Sequence, residues 1–164
     1  MDYIDEKERK ASDPGLIYGM GVDTFGNLCY GRDDEKVWVD FISGYPPLVA
    51  NGQVQKITMA TEISGKARRT LLGYDDDNVY TISIDSPGAT LSEAALLAIN
   101  AGCKYVINLD GGGSTRLLYS GKPYAIASYN RPVDNVVAIY FKKAVPDGPD
   151  ADTIIKPIQT ETIT

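Results

Sequence analysis

The run Lys104-Tyr-Val-Ile-Asn-Leu109 reads as a strand, and it leads directly into Asp110-Gly111-Gly112-Gly113-Ser114-Thr115. Each glycine loses more backbone entropy on folding than any other residue. Three in succession after a carboxylate are therefore kept where the chain must turn sharply, let another backbone or a ligand come close, or present a concave nest of amides to an anion. This stretch constrains the fold because it must sit at a strand end, with its amides at an edge of the sheet.

What precedes the loop sharpens its placement. Val79 to Ile84 alternates like a strand, and Thr90-Leu-Ser-Glu93 opens a helix with a capping box. Leu91, Ala94, Ala95, Ala98 and Ile99 form an apolar helix face, and Gly102 stops it. The segment 79–110 thus predicts strand, helix, strand, with the crossover making the two strands parallel if they share a sheet. Asp85 and Asp110 then follow strands that end at one edge, where open α/β sheets commonly bind ligands. Immediate neighbours would be about 4.8 Å apart; an intervening strand would roughly double that. Two nearby carboxylates can divide acid and base work, hold a divalent cation, or cap turns. The residues alone leave these open, so the metal content of the site is unknown at this stage.

Elsewhere the pattern is one of hairpins. Residues 17–30 read as two strands about a Gly/Asn turn, and Val37 to Ile42 as another strand. Asn51-Gly52, between Leu48-Val-Ala and Gln53-Val, predicts a type I′ turn. Arg69 to Tyr74 and Val79 to Ile84 flank the polar turn Asp75-Asp-Asp-Asn78. Residues 59–65 read as loop, Arg116 to Tyr119 and Lys122 to Ile126 as strands about Ser120-Gly121, and residues 135–141 as a last buried strand. The expected fold class is α+β: a mixed β-sheet with hairpins, one βαβ crossover and helices packed on the sheet. Residues 1–13 are expected to be a flexible lead, 14–143 one domain, and 144–164 an acidic tail or linker.

Composition narrows the function. The chain has 22 acidic and 16 basic residues, a net charge of −6. Residues 1–13 contribute −2 and residues 144–164 contribute −3, which leaves the body near −1. A nearly neutral body is not expected to bind long nucleic acid, which calls for a basic face. No apolar run reaches the roughly 20 residues of a membrane span, and the N-terminus has no signal-peptide core, so a cytoplasmic location is expected, or a secreted one if the chain is a domain of a larger protein. There is no histidine, which removes Ser-His-Asp and Cys-His nucleophile schemes. Cys29 and Cys103 form no metal-ligand pattern, and Cys103 reads as a buried thiol. Arg69, Arg116 and Arg131 are candidate anion ligands, since guanidinium forks suit phosphate; Arg68 reads as surface charge. Tyr45, Tyr124 and Tyr129 lie in loops and could pack on a sugar face.

Read together, Arg69-Thr-Leu-Leu-Gly73, Ile84-Asp85, Gly88-Ala-Thr-Leu-Ser-Glu93, Asn108-Leu-Asp-Gly-Gly-Gly-Ser-Thr115 and Asn130-Arg-Pro-Val133 resemble the phosphodiester glycosidase family in order and spacing over residues 16–142. Gly44-Tyr-Pro-Pro47 resembles the family's glycine-proline segment before a hairpin. The resemblance implies a mixed α/β domain that cleaves a sugar-1-phosphodiester. It implies Arg69, Asp85, Asp110, Gly111, Gly112, Gly113, Ser114, Thr115 and Arg131 as the site; the expected roles are Asp110 and Asp85 as catalytic carboxylates, with Arg69, Arg131 and the Gly111–Thr115 loop, together with Thr70 and Arg116, binding substrate and phosphate. No cofactor is implied, with a divalent cation left open. The expected partner is a small sugar-phosphate or nucleotide ligand. Two departures accompany this. Ser86-Pro-Gly88 follows Asp85 where family members often carry a Gly-Arg pair, and the family's upstream Asn-Gly-Gly-Phe-like segment is missing. A homo-oligomer that completes the site is one expectation from the second departure. A non-catalytic module that sequesters a nucleotide or phosphodiester-sugar ligand is another, as is a domain of a larger cell-wall or viral protein.

Overall fold

A computed structural model describes residues 18–34, 37–57, 65–125 and 136–139. The expectations for residues 1–13, for most of the loop 59–65, for Arg131 and Tyr129, and for the tail 144–164 fall outside the described residues. The chain divides into two compact units, 1–132 and 133–164. In the second unit, Val136–Ile139 is exposed and belongs to no strand, which corrects the buried strand expected over 135–141. An unbroken apolar run reports hydrophobicity, but it does not supply the hydrogen-bonding partner that a strand requires.

The first unit is mostly β. A small sheet is built from β1 (Tyr18–Asp23), β2 (Leu28–Arg32) and β3 (Trp38–Ser43) in the order β2-β1-β3. The central sheet has the order β5-β4-β8-β6-β7, from β4 (Pro47–Ala50), β5 (Gln53–Val54), β6 (Ala67–Tyr74), β7 (Val79–Ala89) and β8 (Tyr105–Asn108). A two-stranded ribbon, β9 (Leu117–Tyr119) with β10 (Lys122–Ala125), follows the glycine loop. Every ladder between neighbouring strands is antiparallel. The central sheet is therefore antiparallel, not the mixed sheet expected; β7 and β8 run parallel to each other but are separated by β6, antiparallel to both.

The local signals explain these elements. Asn51 and Gly52 both take positive φ, 52° and 72°, as a type I′ turn requires. In the 75–78 turn the Asp75 carboxylate accepts from the Asp77 and Asn78 amides and from the Tyr80 hydroxyl. The Tyr80 bond, with these amides, draws Asp75 down to about 2. The helix α1 (Leu91–Asn100) begins with both halves of the capping box: the Glu93 amide donates to Thr90 Oγ1, and the Thr90 amide to Glu93 Oε2. Gly102 and Cys103 amides return to the Ile99 and Ala98 carbonyls and close it. It is the one α-helix among the described residues, where several were expected.

Alternation along the strands builds two cores. Leu48, Val49, Leu71 and Val106 face α1 and meet Leu91, Ala94, Ala95, Ala98 and Cys103. The burial expected for Cys103 is observed, and that burial pushes its thiol up to about 11. Leu72 and Ile107 face the other way, onto Met20 and the flanking Tyr30, Ile42, Tyr74 and Tyr105. No described helix is long and apolar enough to cross a membrane.

Candidate functional site

One edge of the central sheet collects nearly every residue singled out from sequence. β8 and β7 reach it at their carboxyl ends; β4 and β6, running the other way, start there. The ladder continues past β8, because the Leu109 amide donates to the Thr70 carbonyl at 2.8 Å. Asp110 is the next residue and is exposed.

The loop then bends sharply. A Cβ on Gly111 would lie 2.7 Å from the Arg68 carbonyl oxygen, so only glycine permits this contact with β6. Gly112 takes φ +56°, and Gly112–Ser114 forms a 3-10 turn. That turn uses two amides internally: Ser114 donates to the Gly111 carbonyl at 2.9 Å and Thr115 to the Gly112 carbonyl at 3.4 Å. The Ser114 end of the expected anion nest is therefore engaged by the turn itself, and the amides nearer Asp110 remain as its candidate donors.

Asp85 and Asp110 are not on adjacent strands. β6 lies between β7 and β8, so the wider of the two sequence-based spacings holds, with strand axes about 10 Å apart. Nor does Asp85 end its strand; β7 runs on to Ala89. Its carboxylate pairs with Arg68 Nε at 2.7 Å and accepts from the Ser86 amide. Arg68, expected to be solvated surface, is instead the ion-pair partner of Asp85 and a further candidate that sequence reading missed. Arg69 opposes Ile84, the register shifts at residue 68, and the Arg68 side chain reaches Asp85 across this irregularity in the hairpin.

The remaining candidates split by depth. Arg69 is 4% exposed, with Nε donating to the Ala89 carbonyl (3.1 Å) and Nη2 to the Gly65 carbonyl (2.7 Å). Burial lowers its pKa, yet a guanidinium stays charged in proteins. Ser114 is buried, and Thr115 is 1% exposed with its hydroxyl unpartnered among the described residues. Thr70 and Ser83, directly paired across β6 and β7, also have buried hydroxyls without a partner among the described residues. Buried polar groups of this kind normally meet water or another polar group. Asp85, Asp110, the three glycines and Arg116 lie nearer the surface. Among the described residues no group of three His, Cys, Asp or Glu side chains is placed to hold a metal ion.

A second contribution comes from β4. Asn108 is buried; its Nδ2 donates to the Tyr45 carbonyl at 2.8 Å, and its amide to the Pro46 carbonyl at 3.2 Å. Asn108 clamps the segment Gly44–Pro47 against the end of β8.

Comparison with known proteins agrees with this architecture. The family described as phosphodiester glycosidase matches residues 18–140. No curated protein matches the chain. Among solved structures, the chain is similar to the zebrafish N-acetylglucosamine-1-phosphodiester alpha-N-acetylglucosaminidase catalytic domain auto-inhibited by its pro-peptide, at TM-score 0.53 and 22% identity. That match covers 68% of this chain and 45% of the other. A hypothetical protein from Synechocystis matches at TM-score 0.52 and 21% identity, over 62% of this chain and 21% of the other. The chain therefore spans less than half the length of either structure, and at these identities the likeness speaks to the fold.

Proposed function

Because the chain belongs to the phosphodiester glycosidase family, we propose that it hydrolyses the bond between a sugar and a phosphodiester at the sheet edge carrying Asp110. The observation that carries this reading is the exposed Asp110 carboxylate at the end of β8, set at the same edge as the Arg68–Asp85 pair and followed by the glycine turn packed on β6.

The chemistry asks little of an acid. Breaking the C1–O bond releases a phosphomonoester, whose second pKa is about 6, so the departing oxygen needs its charge balanced more than it needs a proton. Arg68 and Arg116, with the amides nearest Asp110, are the groups in reach of that role. Water adds at C1 as the bond breaks, and Asp110 takes its proton. The products are a free sugar and a phosphomonoester. Asp85 acts through Arg68, holding the guanidinium toward the edge. With water as the direct nucleophile and no second carboxylate at C1, displacement proceeds in one step, with inversion. The contributions of Arg69, Thr70, Ser114 and Thr115 are to support the turn from beneath, and Arg131 retains its sequence-based role as an anion ligand.

The test is incubation with a panel of sugar-1-phosphodiesters, read by mass spectrometry and by NMR of the first-formed anomer. Asp110→Asn is expected to lower turnover about 10²- to 10⁴-fold, as loss of a general base does, with an unchanged circular dichroism spectrum. Full turnover in that variant removes Asp110 from the mechanism. Intact ligand held one-to-one by the wild-type protein supports the alternative reading, a module that binds such ligands without cleaving them.

A further inference from the structure

The structure accounts for seven of the eight described tyrosines. Tyr18, Tyr30, Tyr74 and Tyr105 stack on one another, Tyr119 meets Tyr124 edge-on, and the Tyr80 hydroxyl donates to Asp75. Tyr45 alone has neither a ring contact nor a hydroxyl partner among the described residues, and it is 45% exposed. Its neighbours Gly44 and Pro46 are both buried.

This exposure does not come from a loose segment. Gly44 donates to the Tyr18 carbonyl at 3.0 Å. A Cβ on Gly44 would lie 2.8 Å from the Asn108 carbonyl oxygen. The two Asn108 hydrogen bonds hold the next two carbonyls, at residues 45 and 46. Residue 45 serves the fold through its main chain, and its side chain is left over. The position of that residue follows from where the ladder ends. The β4–β8 ladder ends at Pro47, and the cis Tyr45–Pro46 peptide turns the chain there, so that the Tyr45 carbonyl meets Asn108, two residues before Asp110. An aromatic ring without a ring contact or hydroxyl partner and an exposed carboxylate therefore leave neighbouring segments, just before β4 and just after β8, at the same edge.

We infer that Tyr45 is a specificity residue of this site, presenting its ring to the apolar face of a pyranose while Asp110 lies beside the sugar's reacting end. A tyrosine ring offers a large, rigid, amphipathic contact area at low entropic cost, with two side-chain torsions to fix. A pyranose matches it, with a C–H face for the ring and hydroxyls for the phenol and the carboxylate. This inference rests on the reading of the edge as a glycosyl-phosphate site. It adds the subsite that takes the sugar, separate from the arginines and amides that take the phosphate.

The experiment compares wild type, Tyr45→Ala and Tyr45→Phe for Kd of a hexose-1-phosphate and for kcat and KM on its methyl phosphodiester. Methyl phosphate, which lacks the ring, is the control ligand. Tyr45→Ala is expected to weaken the hexose-1-phosphate about tenfold, the equivalent of 1.4 kcal/mol, and to raise KM alongside. Methyl phosphate affinity should stay unchanged, and the melting temperature should move little, because the side chain makes no ring contact and its hydroxyl no hydrogen bond among the described residues. Tyr45→Phe should restore most of the loss. Equal hexose-1-phosphate affinity in Tyr45→Ala and wild type overturns the inference, even where the diester is cleaved normally. A Tyr45→Ala loss that extends equally to methyl phosphate also overturns it. Cleavage failing in wild type while the Tyr45-dependent hexose affinity persists sinks the hydrolytic reading and leaves the subsite standing.

Discussion

The two faces of the central sheet are packed by different chemistry. Toward α1, small and aliphatic side chains meet: Leu71, Val106 and Leu48 against Ala94, Ala95 and Ala98, all buried. Toward the small sheet, aromatic rings do much of the filling. Tyr74 and Tyr105 stack at 4.9 Å, Tyr105 and Tyr30 at 5.4 Å, Tyr30 and Tyr18 at 5.8 Å. The Tyr30 amide donates to the Tyr74 hydroxyl at 2.9 Å. The helix side gains from close contact that alanines allow, so its cost of disruption is steric. The tyrosine side gains from ring area and from hydroxyls that find polar partners, so it can be perturbed by chemistry that leaves shape intact.

The sharpest way to test that difference is to remove volume on the helix side. Leu71→Ala should destabilise by about 3 kcal/mol, within the range for a buried leucine, read as a lower midpoint in urea. A loss under about 1 kcal/mol would mean that α1 collapses onto the gap and that the close-packed description fails. A shape-preserving change on the other face comes next. Tyr74→Phe keeps the ring stack and deletes the acceptor for the Tyr30 amide, for an expected loss of about 1 kcal/mol. No loss in urea unfolding would reduce the tyrosine face to simple area.

The smallest effect is a pH dependence. Burial pushes Tyr74 up to about 12, against an ordinary value near 10. A raised folded-state pKa means that the native protein holds its proton longer than the unfolded chain. The resulting stability is fully present below pH 10 and is lost as pH rises toward 12. Tyr80 is also raised to about 12, chiefly by its hydrogen bond to the Asp75 carboxylate. Melting curves from pH 9 to 11.5 should fall in wild type and fall less in Tyr74→Phe; the remainder should shrink in Tyr80→Phe. An identical slope in wild type and Tyr74→Phe would separate the alkaline response from the tyrosine stack.

Much of the local structure was legible because it rests on short-range chemistry. The Asn51-Gly52 turn, the Thr90–Glu93 capping box and the 69–84 hairpin need only neighbouring residues to form. Strand order was harder, since it is a tertiary choice. The hairpin already fixed β6 beside β7, and β8 had to take one free edge or the other. The deciding hint lies in the residues: β6 carries Leu71, Leu72 and Gly73, all buried, while β7 is exposed at Val79, Thr81 and Asp85. The more apolar strand goes to the middle. Site depth was not legible at all. Arg69, Thr70, Ser114 and Thr115 are polar, and polarity by itself points to the surface; their burial depends on main-chain carbonyls and strand neighbours far away in sequence. Arg68 and Asn108 were missed for the same reason: their partners, Asp85 and Tyr45, are set by register.

The insertion of β8 between β4 and β6 also orders events in time. The β6–β7 hairpin closes over a four-residue turn and can zip early, whereas β8 reaches β6 only after a whole helix has been laid down between them. Arg68 and Asp85 can meet within the hairpin, but Asp110, Gly111 and Tyr45 join them only when β8 docks. The chemistry of the edge thus depends on the long-range pairing of β8, and ligand binding there reports that β4, β8, β6 and β7 are assembled.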